Sequence, residues 1–220
     1  MDRLLCIQKE MRLRAWIVVL FLAMLIPLAG CDKSSEKERV EARKALGRLG
    51  ILYSRQDFME SLRKGDPLTV DLFLAAGMDP DERDKGGVTP LMRFTMEGNI
   101  DAVQRLIDKG AEVNVKDNHG YTALMGAAGY GRTAIAQLLI DKGAEVNAKA
   151  HDGGTALIQA ALNGYPNTVK LLIDKGAEVN AKTKSGKTAL SYAEDRSVGF
   201  LGREGHPEVV NLLRQAGAKE

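Results

Sequence analysis

The chain has 220 residues, 45% of them hydrophobic but only 5% aromatic, with two cysteines and a formal net charge of +2. A core this poor in aromatics has to be built from Leu, Ile, Val and Ala, which suits small helices in close contact better than a β-sandwich. The excess positive charge sits in residues 1–30, where Arg3, Lys9, Arg12 and Arg14 face Asp2 and Glu10; acids and bases balance in the rest, so no overall field draws a phosphate backbone and no nucleic-acid partner is expected.

From the N-terminus, residues 15–29 form an apolar run behind Arg12 and Arg14, shorter than the roughly 20 residues a bilayer span needs. A basic start, an apolar centre and small residues at the end describe a secretory signal peptide over 1–30. Met11 opens a more usual short leader than Met1, and both starts stay open. The run ends in Leu28-Ala29-Gly30-Cys31, which resembles the lipobox of bacterial lipoproteins. The resemblance implies cleavage before Cys31, acylation of its sulfur and its new amino group, and a place in the bacterial cell envelope, on the periplasmic face of the inner membrane or on the outer membrane. Several acyl chains, at about 0.8 kcal/mol per buried methylene, give stable attachment. Asp32 resembles the inner-membrane retention signal of enterobacterial lipoproteins.

Residues 31–52 combine this cysteine with a tether and a charged helix. Lys33-Ser34-Ser35 reads as a short flexible tether. Between Glu36 and Leu49 acids and bases alternate around Ala42, Ala45 and Leu46, predicting a solvated helix with i,i+4 neighbours along Glu36–Val40–Lys44 and Glu41–Ala45. Leu46, Leu49 and Ile51 stand where they would cover the next element.

Beyond residue 53 the chain repeats itself. The nonapeptide Leu-Ile-Asp-Lys-Gly-Ala-Glu-Val-Asn starts unchanged at Leu106, Leu139 and Leu172, a period of 33 residues, which is that of two short helices plus a turn. Thr89, Thr122, Thr155 and Thr188 keep the same step and predict N-caps, with Pro90 at a first helical position. Gly98, Gly131 and Gly164 are expected to end the first helices in a left-handed conformation, and Gly110, Gly143 and Gly176 the second. Val103, Leu106 and Ile107, with their counterparts Ala136, Leu139 and Ile140 and then Val169, Leu172 and Ile173, form the expected core face. Gln56 to Asp84 is a degenerate first copy, with Gly65 and Gly77 in place. The last copy replaces the isoleucine by Arg214, a charge suited to a face with no neighbour. It also carries eight extra residues, so that 194–204 bulges between its helices.

Thr89-Pro90-Leu91-Met92, the three Thr-Ala-Leu segments at 122–124, 155–157 and 188–190, and the recurring Lys-Gly-Ala-Glu-Val-Asn resemble the ankyrin repeat. The resemblance implies an all-α fold, an ankyrin-repeat α-solenoid of helix-turn-helix units joined by β-turn or hairpin loops, over 53–220, with repeats near 54–83, 84–116, 117–149, 150–182 and 183–220. The family's usual histidine after Thr-Pro-Leu, which bonds neighbouring turns, is replaced by Met92, Met125, Ile158 and Ser191.

No catalytic signature is present: no Gly-x-Ser-x-Gly, no phosphate-binding Gly-x-x-x-x-Gly-Lys and no His-Glu-x-x-His. No cofactor and no metal are expected. His119 and His151 lie at tips of successive turns, about 10 Å apart, and read as exposed residues rather than a shared metal site; His206 reads as structural. The Asp-Lys pairs at 108–109, 141–142 and 174–175 read as a solvated face.

The positions that differ between copies carry the function. At the turn tips these are Lys85, Val88, Asn118, His119, Tyr121, His151, Asp152, Lys184 and Lys187; at the ends of the first helices they are Met96, Tyr130 and Leu162. The ankyrin resemblance implies that both sets line a concave groove that grips a protein, with Tyr121, Tyr130, Met96 and Leu162 as apolar anchors. The chain therefore reads as a monomeric, non-enzymatic, membrane-anchored binding module that takes an unidentified protein partner and reaches the membrane through Cys31. One version of this is an inhibitor or protector of an envelope enzyme. The rivals are an enzyme with a site near 194–204 and an exported effector.

Overall fold

The computed structural model describes residues 33–195 and 205–219; Cys31, the signal segment 1–30 and most of the 194–204 insertion lie outside the described residues. Among the described residues there are eleven α-helices and no strand. The chain divides into two compact units at Glu82/Arg83.

The first unit holds α1 (Lys33–Arg48), α2 (Arg55–Arg63) and α3 (Pro67–Ala75). The tether expectation is corrected: Lys33-Ser34-Ser35 form the start of α1. The charged helix exists, but its ion pairs run i,i+3 rather than i,i+4, from Glu36 to Arg39 (3.8 Å) and from Glu41 to Lys44 (2.8 Å). Glu36 and Lys44, eight residues apart, lie two turns from each other and do not meet. The Lys44 bond and charge hold the Glu41 carboxyl below its usual range. Ala42, Ala45 and Leu46 are buried, whereas Leu49 and Ile51 are half-buried. Phe58 and Phe73 meet edge-on at 5.4 Å, Tyr53 stacks on Phe73, and Arg43 lies 4.5 Å over the Tyr53 ring while bonding the Ala76 carbonyl. Ser54 and Asp66 cap α2 and α3.

The second unit is four helix pairs: α4 (Pro90–Glu97) with α5 (Ile100–Asp108), α6 (Ala123–Gly129) with α7 (Thr133–Asp141), α8 (Ala156–Leu162) with α9 (Pro166–Asp174), and α10 (Ala189–Glu194) with α11 (Pro207–Gln215). Thr89, Thr122, Thr155 and Thr188 each cap a first helix, accepting the amide three residues on. Each second helix ends alike. The amides of Ala111, Ala144, Ala177 and Ala218 reach back to the carbonyls of Leu106, Leu139, Leu172 and Leu213, all at 2.9 Å, across a glycine at positive φ. Those four leucines are buried; Ile107, Ile140 and Ile173 are only half-buried. Val210 and Arg214 in the last pair are more exposed than their counterparts, and Arg214 turns to Glu194 at 2.7 Å.

Three interactions join one pair to the next. Turn backbones bond directly, from Asn118 to Gly86 (3.0 Å), His151 to His119 (2.9 Å) and Lys184 to Asp152 (2.7 Å). Met92, Met125 and Ile158, standing where the family has histidine, are buried apolar side chains. Asn114, Asn147 and Asn180 each reach into the following copy: Asn147 donates to the Gly176 carbonyl (3.0 Å) and accepts the Glu178 amide (2.8 Å), and the other two repeat the pattern. Finally, Arg132, Tyr165 and His206 lie over Gly98, Gly131 and Gly164. A Cβ on Gly131 would fall 2.5 Å from the Tyr165 ring, so these glycines are required for close approach as well as for their φ. The His206 imidazole nitrogen lies 3.2 Å from the Leu162 carbonyl, the structural role read from the sequence.

Candidate partner-binding groove

The groove begins with two missing side chains. Helix α6 reads Ala-Leu-Met-Gly-Ala-Ala-Gly. Gly126 stands where other copies carry Arg93, Gln159 and Tyr192; Gly129 stands where they carry Met96 and Leu162. Neither glycine has a positive φ, and a Cβ would meet nothing nearer than ordinary contact: Met96 Cγ at 3.5 Å from Gly126, and Gln159 Cβ at 3.8 Å, Asn163 Nδ2 at 3.9 Å and Gln159 Oε1 at 3.9 Å from Gly129. Sterics therefore do not require them, yet each costs a helix about 1 kcal/mol relative to alanine. Their absence of side chains opens a cavity of about 440 Å³, walled by Val88, Met92, Met96, Asp117, Tyr121, Thr122, Met125, Tyr130, Gln159, Asn163 and Tyr165.

The polar wall is a small network. Gln159 donates to the Tyr121 hydroxyl at 3.1 Å, and that hydroxyl faces Asp152 Oδ2 at 3.5 Å. Asp152 Oδ1 accepts the Gly154 amide at 2.8 Å. Burial raises the Tyr121 phenol above its ordinary value; the negative charges of Asp152 and Asp117 push the same way, against the bond from Gln159. At the end of α4, partial burial also raises Glu97, which the charge of Arg93 opposes. Tyr130 remains 54% exposed despite its size.

Of the residues singled out from the sequence, Val88, Met96, Tyr121 and Tyr130 line the cavity, and Asp152 borders it through Tyr121. The others lie elsewhere. Leu162 is half-buried away from the lining, its carbonyl taken by His206. Lys85 lends its carbonyl to the Asn118 side chain at 3.0 Å. His119, His151 and Lys184 are exposed at turn tips. Lys187 pairs with Asp195 at 2.8 Å and sits over the Tyr192 ring. Among the described residues no group of three or more His, Cys, Asp or Glu is placed to hold a metal. Sequence reasoning missed Gln159, Tyr165, Met92 and Met125 as groove residues. The position shared by Arg93, Gly126, Gln159 and Tyr192 varies at the fixed period of 33, so the signal was present.

A profile of three consecutive ankyrin repeats matches residues 58–150 and 147–220. The chain belongs to the ankyrin-repeat family, whose stacks are protein–protein interaction modules and typically non-enzymatic scaffolds. No curated protein matches it.

Proposed function

We propose that the chain is a lipid-anchored binding module of the bacterial envelope, gripping a protein partner in the groove over α6. The observation that carries the groove is the pair of sterically unnecessary helix glycines, Gly126 and Gly129, which trade helix stability for space beside three tyrosines. The anchor is read from Leu28-Ala29-Gly30-Cys31. Among the described residues no helix is long and apolar enough to cross a membrane. A rigid groove held at a membrane surface raises its local concentration near envelope partners, and blocking or shielding an envelope enzyme would need no chemistry of its own.

Two measurements test the halves separately. Affinity capture from envelope extracts should recover a partner with the parent chain and lose it with Tyr121→Ala/Tyr130→Ala; equal recovery removes the groove. Fractionation should move Cys31→Ser from the membrane to the soluble fraction, and retention on the membrane removes the anchor.

A further inference from the structure

The space above Gly126 has a filled counterpart one repeat earlier. Asp84 and Asp117 occupy the same place in successive copies, as do Arg93 and Gly126. Asp84 accepts the amides of Gly86 and Val88 on Oδ1 (2.8 and 2.9 Å), and its Oδ2 pairs with the Arg93 guanidinium at 3.3 Å. Asp117 closes its own turn identically, accepting His119 and Tyr121 on Oδ1 at 2.8 Å each. Its internal guanidinium is gone with Gly126, and among the described residues no basic side chain is bonded to it. The fourth and fifth copies do not offer this arrangement, because Ala150 and Thr183 replace the aspartate.

The vacated space lies inside the groove, and Asp117 is the one formally charged residue of its lining. Three of the chain's five tyrosines surround it. Gln159 Oε1 faces the space above Gly129, 3.9 Å from where a Cβ would lie. Arg132, beside Met96, uses its guanidinium on the Met96 carbonyl at 3.3 and 3.4 Å. A carboxylate, flat aromatic faces and a carbonyl oxygen together match a guanidinium, which pairs with carboxylates through its planar fork and stacks on aromatic rings.

We infer that the groove takes an arginine side chain of the partner protein, its guanidinium set against Asp117 as Arg93 is set against Asp84. The inference rests on the proposed groove as the binding site and adds the chemistry of what enters it.

The test uses a random dodecapeptide display library selected on the immobilised full chain, with each selected peptide then synthesised with arginine and with its neutral isostere citrulline. Peptides lost on Tyr121→Ala/Tyr130→Ala should carry arginine and bind at least about tenfold more weakly as citrulline, or to Asp117→Asn, which keeps the turn-closing oxygen but removes the charge. Gly126→Arg, which supplies the guanidinium from within, should abolish binding. Groove-dependent peptides that lack arginine, or that ignore Asp117→Asn, overturn the inference and leave the groove standing; the absence of any peptide sensitive to the tyrosine pair overturns both. A partner-free readout guards against misfolding. Gly126→Arg should raise Tm by roughly 2–4 °C, from helix propensity and the new pair, and by less in the Asp117→Asn background. A lowered Tm, or the same rise in both backgrounds, also overturns it.

Discussion

The two units of the chain reach cohesion by different means. The first leans on a few large contacts, with Phe58, Phe73 and Tyr53 gathered under α1 and Arg43 laid across the tyrosine. The second spreads its cohesion over small interactions repeated at a fixed spacing: a threonine cap, a buried leucine, an asparagine that reaches forward and a glycine that admits the next copy. The first arrangement fixes one site. The second leaves positions between the repeated contacts free to change, and the groove over α6 lies at such positions.

This difference predicts a graded set of losses. Phe73→Ala removes a fully buried ring shared by two aromatic contacts and should cost about 3–5 kcal/mol, read as loss of hydrogen-exchange protection in α1–α3. Leu139→Ala should cost about 3–4 kcal/mol, read in α6–α9. If either change lowers protection evenly along the whole chain, the two units do not differ in the way described. Among glycines, Gly131→Ala meets the Tyr165 ring as well as an unfavourable φ and should cost about 2–3 kcal/mol, whereas Gly143→Ala meets only the φ and should cost about 1–2 kcal/mol; equal costs in urea unfolding would remove the close-approach role. Asn147→Ala should cost about 1–2 kcal/mol for two exposed inter-copy bonds. Thr95→Ala should have the opposite sign. The Thr95 hydroxyl is fully buried without a hydrogen-bond partner, Ala128 and Ala161 occupy the same place in later copies, and removal should stabilise by about 1 kcal/mol.

The frame was legible because its signals recur. Thr122 as a cap or Gly143 at positive φ needs only the period and the local chemistry of threonine and glycine, and four copies repeat the same message. Legibility failed where a residue's role depends on a neighbour one copy away. Nothing in Gly126 alone marks a cavity; that follows from Arg93 reaching Asp84 and from Gln159 turning to Tyr121. The bonds of Asn114 to Gly143 and Glu145 likewise reach into the next copy, which the residues around Asn114 do not show by themselves. Leu162 and Lys187 were singled out because their positions vary; Leu162 is half-buried outside the cavity lining, and Lys187 pairs with Asp195. At Lys33-Ser34-Ser35, polar composition suggested a linker, whereas the helix that follows already begins there.

The foot of the insertion has a consequence for how this protein can be altered. The His206 amide bonds the Ala193 carbonyl at 2.8 Å, as the Tyr165 amide bonds Ala160 at 3.0 Å, so the chain rejoins its frame at the usual hydrogen bond however much sequence intervenes. Gly205 makes the junction tight: a Cβ there would lie 2.6 Å from the Ala193 oxygen. Because closing a longer detour costs only about 0.6 kcal/mol per doubling of its length, this seam is a natural splice point. A reporter or a second binding peptide grafted between Asp195 and Gly205 should leave the remaining architecture undisturbed.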